Sequence, residues 1–195
     1  MSKNIPTIVF CAAAIALNVA IGSVVFLLKL PIYLDSIGIM LVAILIPGTR
    51  FRAFLLAATV GVISFVIGGV LLNPFLPWFS LTAIVGAAYG AILVRGRVLE
   101  GEISAKRSSL KAVAFGVGWG LVAAVVSAPV VVYLFGGVTG SGTTLVTAFL
   151  IKTGHQLLNA ALLTGFAAEP VDKTLQMVIA LMVSRATPKS FLGRL

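Results

Sequence analysis

The chain is built from long apolar runs that are separated by short hydrophilic gaps. Seven runs can be recognised, at about 6–28, 35–47, 52–72, 77–94, 111–135, 144–166 and 171–184. A straight helix needs about 20 apolar residues to cross the roughly 30 Å hydrocarbon core of a bilayer. Most of the runs approach that length, so the pattern predicts helices that lie in a membrane.

The overall composition supports the same class. The chain is 60% hydrophobic and 10% charged, with a mean hydropathy of +1.17, whereas a soluble domain has about 25% charged residues. A chain of 195 residues has room for about six such helices with short loops. We therefore expect one all-α integral membrane domain that covers residues 1–195.

The basic residues indicate the orientation of the predicted helices. The net charge is +9, but most lysines and arginines lie in or beside the gaps, which is typical of the positive-inside rule and not of a nucleic-acid-binding surface. With the N-terminus in the cytoplasm, the inner positions are Arg50, Arg52, Arg95, Arg97, Lys106, Arg107, Lys111, Arg185, Lys189 and Arg194. The outer gaps Asn73–Trp78 and Gly136–Thr144 carry no charge. The pattern predicts six spans with both termini cytoplasmic, in a multi-pass cell-membrane protein that has no nucleic-acid partner.

The last third of the chain holds two apolar runs but needs only one more crossing to end in the cytoplasm. Run 144–166 is interrupted by groups that are costly against lipid, namely Lys152, Gly154, His155, Gln156 and Asn159. We therefore interpret it as a broken, partly external segment before the last helix and take 171–187 as the sixth span. The alternative, with 144–166 as the sixth span and 171–187 as a cytoplasmic surface helix, has the same parity.

Two of the predicted spans have unusual features. Run 35–47 is too short to cross as a straight helix, so its N-terminal end at Asp35 is expected to stop below the outer surface and to leave a cavity there. In the first span, Ala12, Ala16 and Ala20 share one helix face at i, i+4 and i+8, where small side chains allow another helix to approach closely. The alternative for this stripe is packing inside the protein.

Motifs for catalysis or cofactor binding are missing from the sequence. It has one histidine, no HExxH, no GxSxG and no P-loop GxxxxGK[ST], and no span carries a pair of glutamates. The single cysteine, Cys11, lies inside the first apolar run, so an internal disulfide and a CxxC metal site are excluded. We therefore expect neither an enzyme nor a bound cofactor or metal ion.

Polar and aromatic residues gather instead on the predicted outer side. This set comprises Lys29, Tyr33, Asp35, Asn73, Trp78, Tyr133, His155, Gln156, Asn159, Asp172 and Lys173. A mostly apolar pocket with a few convergent polar groups is the usual form of a small-molecule site, and aromatic rings can stack on a flat ligand. Tyr33, Trp78 and Tyr133 have an alternative role as interfacial belt residues. Asp35 has an alternative role as the cap of the short helix.

The charged stretch Glu169–Lys173 precedes the last apolar run, so we place it at the outer mouth of the last helix. Pro170 suits a first helical turn, and Glu169 and Asp172 suit the positive end of the helix dipole. Lys173 does not, because a cation is unfavourable at that end. Lys173 is therefore the first candidate for binding a carboxylate or an amide of a solute.

With these features, the sequence resembles a known family, the substrate-binding S components of energy-coupling factor (ECF) vitamin transporters. The resemblance covers nearly the whole chain. It rests on four stretches: CAAAIALNVA (11–20), LKLPIYLDSIGIMLVAILIPG (28–48), VSAPVVVYLFGGVTGSGTT (126–144), and a last span opened by EPVDKTLQ (169–176) and closed by SRATPK (184–189). It implies a six-helix protein that binds a small water-soluble vitamin or related micronutrient from the outer side.

The resemblance also implies partners and site residues. The S component would dock to a transmembrane coupling subunit, which two ATPase subunits drive, through an AxxxA pattern that Ala12 and Ala16 match and Ala20 extends. The family's ligand contacts would fall on Tyr33, Asp35, Asn73, Trp78, His155, Gln156, Asn159 and Lys173. The alternative function is a membrane scaffold or small pore that has no solute pocket.

Overall fold

The computed structural model describes residues 5–96, 108–193 and 195, which form helices and connecting loops. Helix covers 81% of these residues, and no strand occurs among them. In chain order the helices are α1 (Ile5–Leu27), α2 (Ile37–Leu45), α3 (Arg50–Leu71), α4 (Ser80–Tyr89), α5 (Ser108–Pro129), α6 (Thr143–Lys152), α7 (Leu157–Ala186) and the short α8 (Lys189–Leu192). A 3-10 turn (Leu76–Phe79) leads into α4, and π turns (Gly90–Val94 and Val130–Leu134) continue α4 and α5. Among the basic residues that predicted the orientation, Arg97, Lys106, Arg107 and Arg194 lie outside the described residues.

Four helical segments are long and apolar enough to cross a membrane, namely Ile5–Leu27, Arg50–Leu71, Leu76–Val94 and Leu110–Leu134. Large apolar side chains on these helices, such as Leu27, Val70 and Leu110, are exposed on the outside of the bundle. Soluble monomers rarely expose contiguous apolar surface of this kind. The all-α fold and the membrane character are therefore confirmed, whereas the count of six spans and the side of each terminus stay predictions.

The loops that follow α1, α3 and α5 lie at one end of the bundle, and the ends of the described chain lie at the other. At one end, called the loop end below, the Lys29 ammonium donates to the Gly140 carbonyl at 2.7 Å, and the Asn73 side-chain amide donates to the Thr139 carbonyl at 2.7 Å. These contacts join the loops that follow α1, α3 and α5. At the other end, called the termini end, the Thr7 hydroxyl donates to the carbonyl of Leu195. Both ends of the described chain therefore lie on the same side of the bundle.

Helix α2 lies at the centre, and all nine of its residues are buried. The length of nine residues confirms the prediction of a short second helix. A buried helix must find partners for the free N–H and C=O groups of its end turns within the protein. At its N-terminal end, the Asn18 side-chain oxygen accepts from the Gly38 N–H at 2.7 Å, and the Gln176 side-chain oxygen accepts from the Ser36 N–H at 2.8 Å. The helix is thus capped by α1 and α7, and Asp35 does not cap it.

At its C-terminal end, α2 is capped by one buried arginine from the end of α4. The Arg95 guanidinium donates to the Ile46 carbonyl, to the Gly48 carbonyl at 3.1 Å, and, at 3.4 Å each, to the carbonyls of Ala43 and Ile44. A guanidinium carries five N–H donors and is well suited to several acceptors. Arg95, predicted to lie on the inner side, therefore fixes the termini end of the central helix.

Helices α5 and α7 pack along most of their length with their backbones in close contact. A side chain at Gly116 would collide with the backbone of Thr174, and one at Gly120 would collide with the backbone of Pro170. Small residues four apart on one face are typical of tightly packed membrane helices. Trp119, which lies between these two glycines in sequence, packs its ring against Gly86 of α4.

The prediction for the last span is wrong in its boundaries. Run 144–166 is broken, as predicted, by the non-helical residues 153–156, but its second half belongs to α7, which continues without interruption to Ala186. The predicted helix start at 169–173 therefore lies inside a helix of 30 residues, about 45 Å long. The alternative is wrong as well, because 171–187 is not a separate surface helix.

Candidate functional site

A buried cluster of charges lies halfway along α7. The Lys173 Nζ atom is 2.6 Å from Asp172 Oδ2, 3.5 Å from Glu169 Oε2 and 3.5 Å from Asp35 Oδ1. Asp172 is completely buried, and Lys173 and Glu169 are nearly so. Charges at such depth are costly unless they are paired and hydrogen-bonded. The burial of each charged side chain in this cluster therefore needs an explanation, either from the fold or from the function.

Asp172 has a structural reason. Its Oδ1 atom accepts from the backbone N–H groups of Tyr33 and Leu34, both at 2.9 Å, and its Oδ2 atom accepts from Lys173 and from the Gln176 amide at 2.7 Å. Leu34 has a positive φ of 52°, which is unfavourable for a residue with a side chain and persists only where the surroundings hold it. Asp172 thus fastens the loop between α1 and α2 onto α7.

The fastened loop forms one wall of a cavity. Its lining combines aromatic rings, hydroxyls and the charged groups, namely Phe26, Tyr33, Asp35, Ser36, Phe65, Asn73, Leu76, Phe79, Thr82, Trp119, Ala123, Ser127, Val131, Thr139, Ser141, Glu169 and Lys173. The cavity has a volume of about 60 Å³, which is room for several water molecules at about 10–15 Å³ each. A second cavity of about 50 Å³ shares Phe26, Tyr33, Asp35, Phe65, Leu76 and Ser141 with the first.

Two polar atoms in the lining have no hydrogen-bond partner among the described residues. They are the indole N–H of Trp119 and the Oε2 atom of Glu169. The Lys173 ammonium lies 3.5 Å from this oxygen, which is an ion contact but lacks hydrogen-bond geometry. Nearly all buried polar groups in proteins find a partner. A free donor and a free acceptor in one cavity therefore favour a ligand that supplies the complementary groups.

Tyr33 contributes a neutral hydroxyl to the same cavity. Its phenol oxygen lies 2.9 Å from the Thr143 hydroxyl at the start of α6, and its ring lies 5.6 Å below the Lys173 ammonium. Desolvation raises the pKa of Tyr33 above its usual value, and the neighbouring Glu169 raises it further. The phenol therefore stays protonated at physiological pH and can donate or accept a hydrogen bond.

The structure brings four of the nine predicted site residues into this cavity. Tyr33, Asp35, Asn73 and Lys173 line it, at the loop end of the bundle and at mid-depth. The other five do not line it and are exposed, namely Trp78, Tyr133, His155, Gln156 and Asn159. Exposed Trp78 and Tyr133 fit the alternative of interfacial belt residues, and a ligand role for these five stays a prediction.

Sequence reasoning missed several members of the site. Glu169 and Gln176 stand with Asp172 and Lys173 at relative positions i, i+3, i+4 and i+7, a spacing that places all four on one helix face. This signal was present in the sequence, but it applies only if the helix continues through Pro170. Trp119 gave no such signal, because an apolar run does not show which of its faces meets a cavity.

The alanine stripe of α1 lies on the outside of the bundle. Ala12, Ala16 and Ala20 are exposed, whereas Ala14 and Asn18 on another face of the same helix are buried. Packing within the described part of the chain therefore does not explain the stripe. Its use as a docking face stays a prediction.

Comparison with known proteins assigns no family. The chain matches no family model, no curated protein and no solved structure. Within the described residues, no group of three His, Cys, Asp or Glu side chains is arranged to hold a metal ion. A functional assignment therefore rests on the geometry of the cavity.

Proposed function

We propose that this protein is the solute-binding membrane subunit of an ECF-type transporter, which captures a small water-soluble vitamin or related micronutrient from outside the cell. The observation that carries the proposal is the cavity beside Lys173, where the Trp119 N–H and Glu169 Oε2 lack hydrogen-bond partners among the described residues. A scaffold has no use for unpartnered polar atoms in a buried aromatic cavity, since each costs about 1–3 kcal/mol.

The arrangement of the loops supports capture from one side. The loops after α1, α3 and α5 meet over the cavity through the Lys29–Gly140 and Asn73–Thr139 contacts. These are side chain to backbone bonds between loops, which separate at lower cost than packed helices. The proposal is that these loops open to admit the solute and then close over it.

The outer face of α1 supports the proposed docking partner. The exposed alanines leave a shallow surface on which a helix of the coupling subunit can approach closely. Two ATPase subunits would act through that partner, because the chain itself has no P-loop.

The first experiment is a screen of the purified protein in detergent against water-soluble vitamins and their precursors, followed by thermal unfolding. A ligand at 100 times its Kd adds about 2.7 kcal/mol of stability, so one compound is expected to raise the Tm clearly. Trp119→Phe, which removes the free N–H and also replaces the buried indole with a smaller ring, is expected to weaken binding at least about tenfold, the effect of one hydrogen bond. Trp78→Phe is the matched comparison, because the exposed Trp78 does not line the cavity; unchanged binding would leave Trp78 an interfacial residue, and weakened binding would support its predicted ligand role. A folded sample that no compound stabilises would favour the scaffold instead.

A second experiment separates binding from docking. Ala16→Trp is expected to abolish uptake in cells that contain the coupling module, because a bulky ring prevents close helix approach, while ligand-dependent stabilisation persists. Val70→Trp, at an outward position of α3, is the control for bulk against lipid. Loss of binding in Ala16→Trp, or normal uptake, would count against the docking role of this face.

A further inference from the structure

The charge balance of the cavity is negative, although the protein as a whole is strongly positive. The sequence has five acidic residues and a net charge of +9. Three of the five, Asp35, Glu169 and Asp172, lie within 3.5 Å of the Lys173 ammonium. With all three carboxyls ionised, three formal negative charges against one positive charge leave the cluster at −2. Buried charges that are not compensated are costly, so the cluster favours an occupant that brings positive charge.

The hydrogen bonds show which carboxylate is free to meet that occupant. Both oxygens of Asp172 are used by the α1–α2 loop, Lys173 and Gln176. Asp35 Oδ1 accepts from the Ser36 hydroxyl at 2.9 Å. Glu169 Oε2 accepts no hydrogen bond, although its side chain is more than nine-tenths buried and lines the cavity. Asp35 is partly exposed, so Glu169 is the available buried acceptor among the described residues.

Lys173 cannot serve as the anchor for an anionic solute in this arrangement. Its ammonium is already in contact with three carboxylates. An incoming carboxylate would meet those three like charges in a medium of low dielectric constant, where repulsion is strong. In this arrangement Lys173 holds the acidic cluster together, and its predicted role in binding a carboxylate or an amide of a solute stays a prediction.

The walls suit a flat ligand. Phe26, Tyr33, Phe65, Phe79 and Trp119 contribute aromatic rings to the cavity, and ring faces attract cations as well as stacking on flat groups. The indole N–H of Trp119 has no acceptor within the described chain, so a matching ligand also carries one acceptor atom.

We infer that the cavity takes a small, flat organic cation that donates an N–H to Glu169 and accepts a hydrogen bond from Trp119. This inference rests on the proposed solute-binding function and narrows it to one class of substrate. Hydrogen bonds between charged partners are roughly twice as strong as neutral ones, so the cation should be clearly preferred over a neutral molecule of the same shape.

The test uses three probes of one shape and different charge, namely benzamidinium, benzamide and benzoate. Binding to the purified full chain is measured by isothermal titration and by thermal stabilisation, alongside the vitamin screen. Benzamidinium is expected to bind at least about tenfold more tightly than benzamide, and benzoate most weakly. Glu169→Gln, which keeps the size of the side chain, is expected to remove the preference for the cation while benzamide binding persists. A cationic compound from the vitamin screen that Glu169→Gln weakens would support the inference in the same way.

Three results would overturn the inference, and they bear differently on the proposed function. If benzamide or benzoate binds as tightly as benzamidinium, the cavity binds solutes but does not select cations. If a neutral or anionic vitamin is the only compound that stabilises the protein, solute binding stands and the cation class fails. If neither the probes nor any vitamin binds to the folded protein, both the inference and the proposed function fail.

Discussion

The two ends of the buried helix α2 find hydrogen-bond partners for their free backbone N–H and C=O groups in different ways. At the termini end, Arg95 donates to a series of carbonyls at the C-terminus of the helix. At the loop end, two neutral amides, those of Asn18 and Gln176, accept from the N–H groups of the first turn. Both ends are satisfied, but among the described residues only the loop end has further charged side chains that are buried beside the cap.

The comparison separates buried charge that folding explains from buried charge that it does not. A cation at a helix C-terminus is favoured by the helix dipole, and all the contacts of Arg95 serve the fold. Lys173 lies near the N-terminal end of α2, where the same dipole disfavours a cation, and it is held by carboxylates that include Glu169. Because Glu169 Oε2 accepts no hydrogen bond from the described residues, this end of the helix keeps an unused buried acceptor.

The largest predicted effect is the loss of Asp172. Asp172→Ala removes the acceptor of two backbone N–H groups and the closest partner of Lys173. Breaking a buried ion pair by removing one partner costs about 3–5 kcal/mol, so the free energy of unfolding in detergent should fall by that amount. Ser23→Ala, which loses only a bond within its own helix turn, is the control. A loss below about 1 kcal/mol would mean that Asp172 does not hold the α1–α2 loop.

The second-largest predicted effect on stability is the loss of Arg95, which caps α2 at the termini end. Arg95→Met leaves several buried carbonyls without a donor, and buried unsatisfied groups cost about 1–3 kcal/mol each. We expect a loss of about 2–4 kcal/mol in the free energy of unfolding with unchanged ligand affinity. Arg52→Met is the matched control at the same end, because Arg52 donates to Pro47 and Thr7 but is only partly buried. A change in ligand affinity for Arg95→Met would show that the two ends of α2 are coupled.

A smaller effect is expected for the neutral cap at the loop end. Asn18→Ala removes the acceptor of the Gly38 N–H and the donor to the Ser64 hydroxyl, at a cost of about 1–3 kcal/mol. The cavity residues Glu169 and Trp119 keep their positions, so solute binding should persist. Thermal unfolding with and without the ligand measures both quantities. Loss of binding at normal stability would place Asn18 in the site itself.

The sequence predicted the short helix well because the signal for it is local. Run 35–47 is bounded by polar and turn residues, and its length alone shows that it cannot cross a bilayer. Its recessed start beside Asp35 is where the cavity lies. Two of the loops at the loop end, those after α3 and α5, were also predictable, since they are uncharged gaps between apolar runs.

The start of the last helix was not predictable from local signals. A proline inside an isolated helix costs about 3 kcal/mol, so Pro170 favoured a helix start. In the folded protein, Gly120 brings the α5 backbone against Pro170, and membrane helices tolerate proline because their neighbours compensate the lost bond. The contact between α5 and α7 therefore decides the boundary, and with it the depth of Glu169 and Lys173.

The smallest effect on stability is predicted for Glu169→Gln, although Glu169 lies only one helical turn from Asp172. Its Oε2 atom accepts no hydrogen bond, and Lys173 keeps the nearer Asp172 in the variant. Removing one negative charge from a cluster with a formal excess of two also relieves repulsion, since buried charges are often neutral or unfavourable for stability. We expect the free energy of unfolding to change by less than about 1 kcal/mol, measured beside Asp172→Ala in the same detergent. A loss as large as that of Asp172→Ala would mean that Glu169 serves the fold, as Arg95 does, and would remove the difference between the two ends of α2 on which its assignment to a ligand depends.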